Sequence, residues 1–197
     1  MEKNVLAASS REAFRAWLME HAGGESECWV RVKRGRPEDP GTFYYLDAVE
    51  EALCFGWIDS TQKVIGGERL QRFTPRKKGS AWTERNRERA RRLDRLGLMT
   101  DAGRAVWPKD MAAMRFRMDG DVEAALKRAR VYSAFRRFPP LYQRVRAYNV
   151  AFYKHRAPQT YEKALSHLIE ETKKGRMFGQ WDDYGRLTTD PAVGRRK

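Results

Sequence analysis

Two adjacent glycines, Gly66-Gly67, separate two runs of alternating side chains over 57–65 and 69–77, and no other feature limits the fold as strongly. Two-residue hairpin turns of the primed types need φ > 0, which glycine supplies at little steric cost. The segment therefore reads as a β-hairpin. A turn that tight also sets a register, in which residues whose numbers sum to 133 face each other. Asp59 then lies opposite Thr74, Thr61 opposite Arg72, and Trp57 opposite Arg76. Because strand side chains alternate, Trp57, Asp59, Thr61, Lys63, Arg72, Thr74 and Arg76 are expected on one face, with Arg72 and Arg76 diagonal to Asp59. A slip of one residue would dismantle that face.

The flanking sequence supplies partners for a small sheet. Ser9 and Glu12 have capping-box spacing ahead of Phe14, Trp17 and Leu18, which predicts a first helix closed by Gly23-Gly24. Residues 27–33 alternate as a strand, with Cys28, Val30 and Val32 on one side. Helices are predicted over 45–55 and 83–96, the second with Trp82, Asn86, Ala90 and Leu93 as its buried side. Thr100-Asp101 caps a further helix that Pro108 kinks or ends. Met111, Met114 and Met118 lie in a weakly apolar stretch without a firm assignment. From residue 121 the pattern is helical, over 121–130, 132–138, 140–154 and 159–174, with breaks at Pro139-Pro140 and Ala157-Pro158 and a C-cap at Gly175. The expected fold is α+β: a small antiparallel sheet with a central β-hairpin packed by helices, followed by a helical C-terminal half. The expected organisation is an α+β domain over 1–118, a helical region over 119–176, and a partly loose tail over 177–197 in which Phe178, Trp181 and Tyr184 can dock.

Composition narrows the function classes. Hydrophobic residues are 41% and aromatics 12%, enough for a packed core. Apolar runs such as 52–58 fall short of the roughly 20 residues a membrane span needs. The first residues lack the apolar stretch of a secretory signal, so the expected location is the cytoplasm. Cys28 and Cys54, and His21, His155 and His167, lack disulfide or metal spacing. No P-loop, dinucleotide fingerprint or Ser-His-Asp order is present. No metal or cofactor is therefore expected, and no catalytic residue is assigned. The net charge of +14 points to an anionic partner. The excess is concentrated: 61–97 carries +8 and 127–156 carries +9, the latter with nine Lys/Arg and no acid.

A string of motifs is distinctive. The segment 48–59 (Ala-Val-Glu-Glu-Ala-Leu-Cys-Phe-Gly-Trp-Ile-Asp) is followed by Arg72-Phe73-Thr74-Pro75-Arg76. Ser80-Ala81-Trp82-Thr83 with Asn86 comes next, and then Gly97-Leu98-Met99-Thr100 with Ala102-Gly103. In this order the motifs resemble the YdeI/OmpD-associated family, also called bacteriocin-protection proteins, specifically over 11–106. The likeness continues more loosely through 138–142 and 158–160, where Gln159 and Tyr161 depart from the family pattern. The resemblance implies a setting of stress or antimicrobial-peptide protection and no defined reaction.

Three functions are carried forward. In the first, Arg72 and Arg76 clamp an anionic small molecule or peptide group on the hairpin face. Asp59 orients them, Trp57 and Trp82 form walls, Thr74 lies beside the clamps, and Asn86 reads hydrogen bonds. Two flanking arginines would lower the Asp59 pKa and make it a poor general base. Cys54, between Leu53 and Phe55, reads as a buried thiol and not as a nucleophile. In the second, Arg85, Arg87, Arg91, Arg92 and Arg95 on the arginine-rich helix grip nucleic acid without sequence preference. The third is a protein-interaction module without catalysis.

Overall fold

The computed structural model describes residues 5–111 and 116–189. Within them the chain divides into two compact units. One takes the described residues of Met1–Ala81 with Arg89–Lys109, and the other takes Trp82–Glu88 with those of Asp110–Lys197.

The first unit is built on a four-stranded sheet in the order β1-β2-β4-β3, with β1 Val5–Leu6, β2 Cys28–Arg31, β3 Trp57–Ile65 and β4 Glu68–Pro75. The β2–β4 and β3–β4 pairs are antiparallel. The sheet is nevertheless mixed, because the two-residue β1 pairs parallel with Trp29 and Val30. Helix α1 (Arg11–His21) is capped by Ser10, whose hydroxyl accepts from the Ala13 amide, one residue later than the Ser9 box predicts. Its Phe14 packs on Phe73 of the sheet at 5.4 Å.

The hairpin forms, and both Gly66 and Gly67 take positive φ. The expected register holds only near the turn. Gln62 faces Gln71 and Lys63 faces Leu70, but beyond a bulge between Asp59 and Gln62 the pairing slips by one. Asp59 then faces Phe73, Ile58 faces Thr74, and Trp57 faces Pro75. By alternation, Trp57 and Asp59 share the face of buried Phe73, while Arg72 and Thr74 turn to the other. The seven-residue face is therefore split. Gln71 holds the bulge: it is fully buried, and its Nε2 lies within 3.2 Å of the Ser60, Thr61 and Arg72 carbonyls.

Helix α2 (Tyr45–Cys54) is buried from Leu46 to Cys54, acids included. Glu50 and Glu51 are 0% and 2% exposed, a placement that demands charged partners. Arg11 meets Glu50 at 3.0 Å and Glu51 at 2.6 Å, Arg15 meets Glu51 at 2.6 Å, and Arg92 meets Glu50 at 3.0 Å. The C-terminus of α2 is closed by the Thr100 segment. The Cys54 carbonyl accepts from Thr100 Oγ1 at 2.6 Å and from the Thr100 amide at 3.1 Å. Thr100 is itself the N-cap of α4 (Asp101–Ala105). Gly103 lies so close that a Cβ there would overlap the Cys54 carbonyl oxygen. The spacing of the Cys-Phe-Gly-Trp and Gly-Leu-Met-Thr strings thus reflects one packed joint.

The second unit is helical: α5 Gly120–Arg128, α6 Tyr132–Arg136, α7 Pro140–Ala151 and α8 Pro158–Lys173. Pro140 and Pro158 start their helices, where a missing N–H removes no bond. The core joins Val122, Leu126, Val131, Phe135, Tyr142, Ala147, Val150 and Leu168. Gly175, at φ +66°, ends α8. The chain then returns as a strap that runs to Thr189. Phe178 and Trp181 meet the Tyr142 ring edge-on at 6.3 and 5.6 Å, and Asp183 and Leu187 are buried. Phe178 and Trp181, two of the three aromatics expected to dock from the tail, thus meet α7. Met114 and residues 190–197 lie outside the described residues.

Helix α3 (Glu84–Arg95) gives its first residues to the second unit and the remainder to the first. Among the described residues no helix is long and apolar enough to cross a membrane.

Candidate functional site

The hairpin groups are engaged with the protein itself. Trp57 is 1% exposed; its Nε1 donates to the Ala22 carbonyl at 3.2 Å, and its ring meets Trp17 edge-on. Asp59 orients a tyrosine: its Oδ2 accepts from the Tyr45 hydroxyl at 2.5 Å. Burial, reinforced by that carboxylate, pushes the Tyr45 phenol up to about 12. Arg34 lies over the Tyr45 ring at 3.7 Å. Arg72 Nε donates to Glu27 Oε2 at 2.7 Å, and Trp29 Nε1 donates to Oε1 at 3.1 Å. Those hydrogen bonds, Trp29 first, hold the Glu27 carboxyl below its usual range. Arg76 Nη1 donates to Ser80 Oγ and to the Ala81 carbonyl at 3.1 and 2.9 Å. Thr74 is half-buried. Trp82 and Asn86 belong to the second unit and are buried, and the Asn86 amide donates to Thr83 Oγ1.

The arginine helix is similarly occupied. Arg85 Nη1 donates to the Gln180 carbonyl at 2.5 Å, Arg87 reaches Asp110 at 3.0 Å, and Arg92 holds Glu50. Arg91 is half-buried and Arg95 exposed. Cys28 and Cys54 are both buried, and burial pushes each thiol up to about 12, which leaves no thiolate to act as nucleophile near neutrality. Among the described residues no group of three or more His, Cys, Asp or Glu is placed to hold a metal.

A different site stands in the second unit. A cavity of about 430 Å³ is bounded by α7, by the following Phe152 and Tyr153, by Ala164 and His167 of α8, and by Phe178 of the strap. Thr83 lines it as well. Arg146 projects here from α7. Its guanidinium carbon lies 4.7 Å from the Phe178 ring centroid and 5.8 Å from that of Tyr142. Its Nε is buried with no hydrogen-bond partner. Burial lowers the Arg146 pKa; Tyr142 partly opposes this, and the neighbouring Arg85 adds to it. An arginine stays protonated even so, and the side chain is a stacked, partly desolvated cation facing an aromatic cavity.

Arg144 on the same helix also has a buried Nε without a hydrogen-bond partner, but its guanidinium, unlike that of Arg146, meets acids. Arg144 reaches Glu88 at 2.9 Å and Glu84 at 3.5 Å, an ordinary buried pair. For Arg146 the helical neighbours are Tyr142, Gln143, Asn149 and Val150, so no acid stands at i±3 or i±4 to pair with it. That was the one signal in the sequence, within the acid-free block 127–156. Phe178 was expected to dock from the tail, but nothing local in the sequence named α7 as its partner.

A family described as Domain of unknown function (DUF8412) matches residues 6–106. No curated protein and no solved structure matches the chain.

Proposed function

The chain belongs to the DUF8412 family, and from its own residues we propose that it binds an anionic small molecule in the cavity of the helical unit, with Arg146 as the anion clamp. One observation carries this reading: a half-buried guanidinium that stacks on Phe178 and lines the cavity, with a buried Nε that has no hydrogen-bond partner. Burying an unpaired charge costs stability, and sites are where such a cost is retained. An incoming carboxylate would restore the charge-assisted hydrogen bonds that a guanidinium otherwise makes.

The anion reading on the hairpin face is the second candidate. It asks Arg72 to leave Glu27, or Arg76 to leave Ser80 and the Ala81 carbonyl. The motifs over 48–103 that resemble YdeI/OmpD-associated proteins favour, as the physiological setting, stress or antimicrobial-peptide protection through such binding. Sequence-tolerant nucleic-acid binding through Arg85, Arg87, Arg91, Arg92 and Arg95, and a pure interaction module, complete the set.

Isothermal titration of benzoate into the wild type, Arg146→Met, and Arg72→Ala/Arg76→Ala separates these. We expect saturable binding that Arg146→Met weakens at least tenfold and the double variant leaves unchanged. Loss in the double variant alone would move the site to the hairpin. No saturable binding, together with salt-sensitive capture of mixed oligonucleotides, would make nucleic acid the partner.

A further inference from the structure

Resting on the anion-clamp reading of Arg146, we infer that the ligand of the helical cavity is a planar aromatic monoanion, a ring bearing one carboxylate. Three features converge on that class.

The first is charge. Of the residues lining the cavity, Arg146 alone is a fixed cation. The nearby Arg85 is drawn away to the Gln180 carbonyl at 2.5 Å and lies 3.9 Å from Asp183. The remaining polar lining groups, Thr83, Tyr148, Asn149 and Tyr153, are neutral donors and acceptors, and His167 is on the exposed surface. One guanidinium neutralises one negative charge. A phosphate ester would bring close to two, leaving the second without a cation among the lining residues.

The second is shape. The Arg146 guanidinium lies beside the Phe178 and Tyr142 rings, and the planar N–H fork of such a group matches a carboxylate in two parallel hydrogen bonds. A carboxylate attached to a ring lies in or near the ring plane, so the ring continues in the direction the fork sets.

The third is the wall. Tyr148, Phe152, Tyr153 and Phe178 surround the cavity. Tyr148 and Phe152 lie 6.3 Å apart at 37°, and Phe152 and Tyr153 lie 5.4 Å apart at 89°. Rings set at such different angles suit an aromatic guest, which packs by both offset and edge-to-face contact. A volume of about 430 Å³ is near the small end of ligand pockets and suits one or two fused rings.

The test is a titration of the full chain, followed by ligand fluorescence and calorimetry, with four probes of matched size. They are 2-naphthoate, its saturated decalin carboxylate, 2-naphthyl phosphate and 2-naphthalenemethanol. Naphthoate should bind at least tenfold more tightly than the decalin carboxylate or the naphthyl phosphate, and about a hundredfold more tightly than the alcohol. Phe178→Leu, which keeps the strap's apolar contact, should narrow the gap between naphthoate and the decalin carboxylate. Equal affinity for the decalin carboxylate would overturn the aromatic assignment, and equal or tighter naphthyl phosphate would overturn the single charge. In both of those cases anion binding at Arg146 stands. Equal affinity for the alcohol, or no binding of any probe, would overturn the anion clamp itself and this inference with it.

Discussion

Replacing Arg146 by methionine should stabilise the helical unit while removing its ligand affinity. The wild-type side chain leaves Nε buried without a hydrogen-bond partner, a cost of about 1–3 kcal/mol. The cation–π contact with Phe178, at 4.7 Å, returns about 0.5–1 kcal/mol. Methionine fills similar space, keeps contact with the ring through sulfur and carries no charge to desolvate. The balance is a gain of about 1 kcal/mol, or roughly 4–8 °C in the midpoint of a unit this size. Arg144→Met on the same helix is the control. It removes one partner of Glu88, at 2.9 Å, and should cost about 1–3 kcal/mol. Hydrogen exchange of the α7 amides, with thermal unfolding alongside, reads both changes in the unit itself. A loss of 1 kcal/mol or more in Arg146→Met would refute the reasoning, because the guanidinium would then be a structural group with a partner in solution.

Further predictions follow from the packing. Gly103→Ala should destabilise the first unit by about 2–3 kcal/mol in urea unfolding, because its Cβ would overlap the Cys54 carbonyl, a backbone atom that cannot step aside. The Cys28, Cys54 and Tyr45 side chains are all held protonated, with pKa values raised to about 12 from ordinary values of 9.0, 9.0 and 10.0. Their contribution is therefore complete below about pH 9 and is lost as pH climbs toward 12. The slope is about 1.4 kcal/mol per pH unit for each titrating group, measurable as a falling urea midpoint as pH rises above about 9. Ending the chain at residue 176 should expose the Tyr142 and Arg146 faces that Phe178 and Trp181 cover, and circular dichroism melts should show a loss of about 3 kcal/mol or more.

Much of the fold was legible because it rests on local rules. The two glycines announced the hairpin, Thr100 announced a helix cap, and the prolines marked where α7 and α8 begin. What escaped depended on contacts distant in sequence. The bulge is invisible to a period-two reading: it exists because Gln71, buried and reached by Arg34 at 2.6 Å, accommodates the extra carbonyls of Ser60 and Thr61. One inserted residue then separated Asp59 from the arginines meant to flank it. Arginine content was likewise a poor guide. Arg72 and Arg92 answer carboxylates, Glu27 and Glu50, that lie more than forty positions away. Arg146 is set apart by an Nε without a hydrogen-bond partner and by the lack of any acid one helical turn away.

The strap over 176–189 gives the site an order in time. Residues emerge from the ribosome in sequence, so α7 and its arginine are synthesised well before Phe178, Trp181 and Leu187. Until those last turns are released, Arg146 is washed by solvent and the cavity lacks a wall. If the proposed binding holds, competence therefore waits on the strap, and a protease that clips behind Gly175 would return α7 to the state it has before the strap is made.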